Sequence, residues 1–377
     1  MPFREQHGTL LALPLVALLA ACSDGSSNSR SDSGPTYDFA SVDAAMQEFL
    51  DESATFDGIS YTLVDREAGS VHEAAFGDHT TDIVVMLAST SKVPSVTLLM
   101  ALDDDESLNY DVETPIENYL PWDGVYGDRN TTQLVSNTAG IPGLGGLGVY
   151  GPHLCQFTAD VDLETCAETL YTVEVEGSSE PGTKFDYGGT QWQLSGAVAQ
   201  QVTNSTWNQA FDAYIGEPCE LEVFTYGNPW SDLTSFDGNP DSLIGKQNAH
   251  VEGGAISNMQ DYGKLLLLHL RDGMCGDTQV LSAESLAYMR VNRAGELGTD
   301  YGMGWWINPG QDGEATIYYD PGAFGAISWM DLDRGIGGYV GIDDYSRTEP
   351  GAVYDFVLQT VIPLQQQAVD DARGVSP

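Results

Sequence analysis

The stretch Leu87-Ala88-Ser89-Thr90-Ser91-Lys92 places a serine and a lysine three residues apart. If a helix begins here, residues i and i+3 lie on one face, so the Lys92 amine can reach the Ser89 hydroxyl. A buried lysine loses its charge readily, and a neutral amine beside a hydroxyl can act as the base that activates it. Chance supplies roughly 0.3 such pairs in a chain with so few lysines, so this pair needs support from the surrounding sequence.

Segments on both sides of this stretch provide that support. In order they are 75–77 (AFG), 114–121 (TPIENYLP), 134–141 (LVSNTAGI), 181–187 (PGTKFDY), 253–257 (GGAIS), 301–305 (YGMGW) and 322–325 (GAFG). From about residue 38 to residue 365 the chain resembles the serine β-lactamase-like hydrolases, which include class C β-lactamases, D-Ala-D-Ala carboxypeptidases and related esterases. The resemblance implies a β-lactamase-like α+β fold, in which helices flank an antiparallel sheet from both termini and a mainly helical subdomain is inserted. We expect a hydrolase domain at 38–370, with its sheet subdomain at about 38–88 and 300–370 and its helical subdomain at about 89–299.

Residue periodicity predicts the main elements separately. Ser41 can cap a first helix that runs to Leu50, and 59–63 with 71–76 form a hairpin. Further helices are expected at 190–202 and from a capping box of Ser257 and Gln260 to residue 270. Strands are expected at 315–319, 325–331 and 336–342, followed by a last helix at about 351–372.

The resemblance also implies catalytic roles. Ser89 is expected to be the acyl-accepting nucleophile, and Lys92 the base or the partner that lowers its pKa. Tyr187 is expected to pass a proton to the leaving group, because a phenol beside a lysine can be partly ionised. The backbone N–H groups of Ser89 and Ala323 would form an oxyanion hole.

Two motifs depart from the family pattern. Tyr187-Gly188-Gly189 stands where the family has Tyr-x-Asn or Tyr-x-Ser, so the amide that orients the lysine and a substrate carbonyl is missing. Asp320-Pro321-Gly322 stands where the family has Lys or His, then Thr or Ser, then Gly. The candidate substrate-binding residues are Asp320, Gly322 and Gly189. Asp320 is expected to repel the carboxylate of β-lactams and D-Ala-D-Ala peptides.

These observations leave two hypotheses open. The first is an exported serine hydrolase that cleaves a small ester or amide, more esterase-like than β-lactamase-like, and needs no cofactor. The second is a catalytically weakened cell-envelope module on the same fold that binds peptidoglycan or another ligand. The chain has no Gly-x-Ser-x-Gly motif and no Cys-His spacing typical of a metal site.

The N-terminus predicts export. Residues 1–22 combine an early arginine, an apolar run and Leu19-Ala20-Ala21-Cys22, which resembles a bacterial lipobox with Cys22 as the lipidated residue. Residues 23–37 are predicted to be a flexible tether. Because a serine follows Cys22, we expect a lipid anchor in the outer membrane facing the periplasm.

Four cysteines remain after Cys22. They allow three pairings, of which Cys155–Cys166 with Cys219–Cys275 is the most local. An even number in an exported protein favours disulfides, although four free buried thiols stay an alternative.

The charge of the chain excludes one class of partner. Its 56 acidic and 14 basic residues give a formal net charge of −42, which repels a nucleic-acid backbone. The acidic surface is typical of a protein that must stay soluble in salty water.

Overall fold

The computed structural model describes residues 35–144, 151–310, 316–346 and 350–375. These residues form the strands β1 Gly58–Asp65, β2 Gly69–Gly77, β3 Val85–Met86, β4 Thr225–Tyr226, β5 Ala255–Ser257, β6 Met274–Cys275, β7 Thr278–Gln279, β8 Trp306–Asn308, β9 Ile317–Pro321, β10 Ile327–Asp331 and β11 Ile336–Gly341. Six of them make the main antiparallel sheet, with strand order β2-β1-β11-β10-β9-β8. Since β1 pairs with β11, with Tyr61 opposite Val340, both ends of the chain contribute to one sheet. The predicted α+β fold class is confirmed.

Helices cover both faces of this sheet. The α-helices of the described residues are α1 Ala40–Glu52, α2 Lys92–Asp103, α3 Thr131–Val135, α4 Leu163–Thr172, α5 Gly189–Thr203, α6 Trp207–Phe211, α7 Met259–Leu270, α8 Ala283–Met289, α9 Pro350–Phe356 and α10 Ile362–Arg373. On one face, the apolar side chains of α1, α9 and α10 pack against alternate residues of β1, which include Ile59 and Tyr61. On the other face, α7 lies against β1 and β11.

Helix α2 runs through the middle of the helical region. Every residue from Lys92 to Leu102 is buried, so this part of the helix has no solvent face and the charge of Lys92 needs partners inside the protein. A small sheet with strand order β3-β5-β4 lies next to the start of α2. There the Leu87 N–H donates to the Ala255 carbonyl at 2.9 Å, which fixes the chain just before Ser89.

Most of the predicted elements are confirmed. The hairpin is β1 and β2, the helix expected at 190–202 is α5, and the three late strands are β9, β10 and β11, the first two beginning two residues later than expected. The last helix also forms, but a π-helical turn at Val357–Val361 divides it into α9 and α10.

Both predicted N-caps are wrong. Helix α1 begins before Ser41, and the carboxylate of Asp38 accepts the first N–H of the helix instead. The side chain of Asn258 caps α7 by accepting the Asp261 N–H at 2.9 Å, while Ser257 ends strand β5. In each case a neighbouring acceptor is better placed than the serine.

Two disulfides link the four cysteines, Cys155 with Cys166 and Cys219 with Cys275. The most local pairing is therefore confirmed. The predicted signal peptide, Cys22 and nearly all of the predicted tether lie outside the described residues. Within the described ranges, no helix combines the length and the apolar character that crossing a bilayer requires.

Candidate active site

Ser89 lies in a 3₁₀ turn, Ala88–Ser91, between β3 and α2. Ala88 has φ +47°, in the left-handed region that residues other than glycine seldom adopt. Such strain persists only where the surroundings hold it, and here the Thr90 hydroxyl lies 3.1 and 3.0 Å from the carbonyl oxygens of Asp320 and Ala326. Ser89 itself is half-buried, so its hydroxyl sits on a rigid turn and is still open to solvent.

Lys92, the first residue of α2, contacts the predicted nucleophile directly. Its Nζ donates to Ser89 Oγ at 3.0 Å and to the backbone carbonyl of Glu252 at 3.2 Å. The same Nζ lies 3.0 Å from Glu252 Oε2 as an ion pair and 4.4 Å from the centroid of the Tyr187 ring. The predicted Ser89–Lys92 pairing is thus present, with a carboxylate that the sequence analysis did not include.

The charge state of Lys92 differs from the prediction. Burial lowers the pKa of this amine, but the carboxylate of Glu252 opposes that effect, and the pKa of Lys92 lies above its ordinary value. The resting side chain is therefore an ammonium that donates to Ser89, not the neutral amine that burial alone predicts.

Tyr187 also differs from the prediction. Burial raises the pKa of this phenol, and the opposing effect of the Lys92 charge is smaller, so the pKa of Tyr187 lies above its ordinary value. Tyr187 is accordingly a neutral phenol in the resting site. In that form it holds a proton that a leaving group can accept.

Asn137, within the segment 134–141, positions Tyr187. Its backbone carbonyl accepts the Asp186 N–H at 2.9 Å, and its Oδ1 accepts the Trp192 indole N–H at 3.0 Å. The same Oδ1 lies 3.4 Å from the Gly188 N–H. The residues on both sides of Tyr187 are thereby bonded to one buried residue, Asn137.

Aromatic side chains form a wall beside Tyr187. Tyr301 and Trp306 lie with ring centroids 6.2 and 5.7 Å from that of Tyr187, and Phe185 packs 5.4 Å from Tyr301. Tyr301 is fully buried, whereas Trp306 is half-buried and presents part of its ring to solvent. This wall offers an apolar surface to a bound group.

The turn after β9 carries Ala323, the second predicted oxyanion donor. Gly322 N–H bonds to the Ala326 carbonyl at 2.7 Å and Gly325 N–H to the Gly322 carbonyl at 2.9 Å, which holds the turn closed. Among the residues that the structure describes, no protein atom accepts the Ala323 N–H, and Ala323 is half-buried. It is available to a ligand oxygen.

Of the three candidate substrate-binding residues, Asp320 does not present its side chain to a substrate, which corrects the prediction that it faces a substrate carboxylate. Asp320 is fully buried and its Oδ2 accepts the Val93 N–H at 3.2 Å. Burial raises the pKa of Asp320 well above its usual range, although Lys92 opposes this. Gly322 and Gly189 are also buried, and at each of them another part of the chain packs closely against the backbone. A Cβ on Gly322 would lie 2.0 Å from the carbonyl oxygen of Leu87.

The sequence analysis missed Glu252 and its neighbour His250. Both are buried, and His250 Nε2 lies 3.9 Å from Glu252 Oε1. Trp230 donates its indole N–H to His250 Nδ1 at 3.1 Å. One signal was present, since Glu252 directly precedes the Gly253-Gly254 pair, but a single glutamate does not stand out among 56 acidic residues. The described residues contain no group of three or more His, Cys, Asp and Glu side chains able to hold a metal ion.

Comparison with known proteins agrees with this geometry. The family model described as Beta-lactamase matches residues 42–353. Penicillin-binding protein 4 of Amycolatopsis lactamdurans is 27% identical over 303 residues, which cover 71% of this chain and 76% of that protein. An octameric penicillin-binding protein homologue from Pyrococcus abyssi superposes with a TM-score of 0.65 at 18% identity, covering 85% of this chain and 77% of that one. EstCE1, a hydrolase with promiscuous acyltransferase activity, superposes with a TM-score of 0.65 at 16% identity, covering 87% and 96%. The chain therefore belongs to the beta-lactamase family and is a serine hydrolase of the β-lactamase and penicillin-binding-protein type.

Proposed function

We propose that this protein cleaves an ester or amide through an acyl-enzyme on Ser89. The observation that carries the proposal is the 3.0 Å hydrogen bond from Lys92 Nζ to Ser89 Oγ, beside the ring of Tyr187, whose centroid lies 4.4 Å from the same Nζ. Acyl transfer requires a nucleophile, a nitrogen that can exchange its proton, a general acid such as a phenol, and an N–H donor for the oxyanion. Acyl transfer is also the chemistry of EstCE1, a hydrolase of the same fold with promiscuous acyltransferase activity.

The steps follow from these positions. After Lys92 releases a proton to solvent, its free amine takes the hydroxyl proton of Ser89 while Oγ bonds to the acyl carbon. The carbonyl oxygen gains the negative charge, which the N–H groups of Ser89 and Ala323 stabilise. As the bond to the leaving group breaks, Tyr187 gives that group a proton and regains one from Lys92. Water then attacks the acyl-enzyme, releases the acid and restores Ser89.

The charges in the site favour a substrate without a carboxylate. The Lys92 ammonium is already committed to the Ser89 hydroxyl and to two oxygens of Glu252. At the third-motif position the chain supplies the buried carboxyl of Asp320 in place of the family's cation. Together with the aromatic wall beside Tyr187, this supports a small apolar ester or amide, and an esterase-like preference over β-lactams.

One experiment tests the chemistry. Purified protein treated with a fluorophosphonate should gain the mass of one adduct, and S89A should gain none. Absence of an adduct on the wild-type protein, or an adduct on S89A, would contradict the acyl-enzyme. Substrate preference is tested separately, because p-nitrophenyl butyrate should be turned over with a higher kcat/KM than nitrocefin, and a nitrocefin value equal or higher refutes the preference.

The Lys92–Glu252 ion pair favours the second candidate, a catalytically weakened module of the cell envelope. An ammonium held by a carboxylate is a poor base, and the amide of the second motif is missing. Binding of peptidoglycan fragments by a protein that forms no fluorophosphonate adduct would support this alternative.

We also propose that the protein is exported and anchored to the cell envelope by a lipid on Cys22, in the outer membrane facing the periplasm. The two disulfides support export, because such bonds persist in oxidising compartments.

A further inference from the structure

The gap in the second motif is occupied by another residue. Gly189, the first residue of α5, stands where the family carries an amide, and a Cβ built there would lie 2.6 Å from Glu252 Oε1 and 2.5 Å from Gln156 Oε1. The space of the missing side chain is therefore filled from two directions. Of the two occupants only Glu252 reaches the catalytic lysine, at 3.0 Å from its Nζ.

His250 lies behind the carboxylate of Glu252, too far from it for a hydrogen bond. Because Trp230 donates to His250 Nδ1, the proton of the neutral imidazole is assigned to Nε2, which faces Glu252 Oε1 at 3.9 Å. Burial, opposed by the charge of Glu252 and helped by that of Lys92, lowers the pKa of His250 to about 4, so this ring stays neutral at physiological pH. The polar contacts therefore run from Glu252 through Lys92 to Ser89, and separately from Trp230 to His250.

We propose that Glu252 is the positioning residue for Lys92, taking over the lysine contact of the missing second-motif amide and setting the pH at which Lys92 releases its proton. The inference rests on the acyl-enzyme function proposed above. An amide in this place is neutral, whereas a carboxylate stabilises the ammonium and delays its deprotonation to higher pH. The proposal therefore predicts a rate of serine acylation that rises at a more alkaline pH than it would with an amide.

Several other groups face this pair and must be kept constant in a test. Tyr187 and Asp320 lie against Lys92, while His250 and Tyr301 lie on the Glu252 side. Glu252 raises the pKa of Tyr187 as well as that of Lys92. Removing its charge therefore moves the pH dependence in the same direction whichever of the two groups limits acylation.

The test measures the second-order rate constant of fluorophosphonate labelling against pH for wild type, E252Q and E252D. The ascending limb is the pH range in which this rate constant rises. E252Q keeps the volume of the side chain and removes its charge, so its ascending limb should move to lower pH by about one to three units. E252D keeps the charge but withdraws it by one methylene group, so its limb should lie between the other two. D370N serves as a matched control, because Asp370 pairs with Arg334 at 2.9 Å on α10, and its limb should superpose on that of wild type.

A folded E252Q whose limb lies within about 0.3 unit of wild type, or that is not labelled at any pH, overturns the inference. If E252Q does not fold, E252D decides, and superposition of its limb on that of wild type has the same meaning. A purely structural role would lower the rate without moving the limb, and that result also overturns the proposal. Failure of the acyl-enzyme function is distinguished from these results because the wild-type protein would then remain unlabelled.

Discussion

Replacing Gly322 by alanine tests whether the spacing between strand β9 and the nucleophile turn sets the geometry of the site. A Cβ at residue 322 would lie 2.0 Å from the Leu87 carbonyl oxygen and 2.7 Å from Thr90 Oγ1. Contacts of a Cβ essentially never fall below 3.0 Å, so the two backbones must separate by about 1 Å. Neither moves freely, because Leu87 is bonded to Ala255 and Gly322 to Ala326.

The expected effect is large for activity and moderate for stability. A displacement of about 1 Å between a nucleophile and its oxyanion donor typically costs about 100-fold in rate. Overpacking at a buried position should lower the free energy of unfolding by about 1–3 kcal/mol. We expect G322A to fold, to lose about 100-fold in kcat/KM on p-nitrophenyl butyrate, and to react with a fluorophosphonate correspondingly more slowly; urea unfolding gives the stability.

Gly351 provides the matched control. It is exposed in α9, and a Cβ there meets no atom within 4 Å. G351A should keep the wild-type kcat/KM and gain up to about 1 kcal/mol of stability, because alanine favours a helix over glycine. A G322A enzyme within about threefold of the wild-type kcat/KM would refute the reasoning, since the site would then tolerate the displacement that the contact imposes.

Three other predictions concern stability and location. Burial, with a smaller effect of Arg290, lowers the pKa of His269 to about 3, so only the unfolded chain binds this proton between about pH 6.5 and 3. As the pH decreases over this range, the free energy of unfolding of the wild type should therefore fall more steeply than that of H269Q, by about 1.4 kcal/mol per pH unit. Urea unfolding at several pH values gives both free energies, and an equal dependence on pH would contradict this. Serines at both Cys219 and Cys275 should lower the free energy of unfolding by about 4 kcal/mol, because the disulfide closes a long loop, and a loss below about 1 kcal/mol would show that chain entropy is not the cause. C22A expressed in a bacterium should move from the membrane fraction to the soluble periplasmic fraction, and an unchanged distribution by immunoblot would refute the lipid anchor.

Patterns that depend on nearby residues predicted much of the fold. The hairpin, α5 and the late strands follow from alternation and helical spacing, which act within a few residues. The N-caps of α1 and α7 did not follow, because serine, asparagine and aspartate compete for the same backbone N–H groups. In the structure Asp38 accepts the Ala40 N–H and Asn258 accepts the Asp261 N–H.

The site was predictable where chemistry lies in a motif and not where it depends on charge balance. Ser89, Lys92 and Tyr187 were identified from their segments, and the structure brings them together. The protonation of Lys92 was predicted wrongly, because burial was considered without Glu252, a residue 160 positions away in the chain. Asp320 was placed against the substrate for a related reason: sequence gives its position on a strand but not the direction of its side chain, which here points to Val93.

The two departures from the family motifs act together on charge. In the family pattern a neutral amide and a third-motif cation accompany the lysine, which leaves the site positive. Here Glu252 balances Lys92, and burial favours the neutral form of Asp320, so the site carries no net positive charge. Each unit of positive charge removed at about 5 Å from a substrate carboxylate forfeits about 3 kcal/mol at an effective dielectric constant of about 20. That is more than about a hundredfold in affinity for each charge, so the proposed preference against acidic substrates follows from the missing positive charge and does not require Asp320 to contact the substrate.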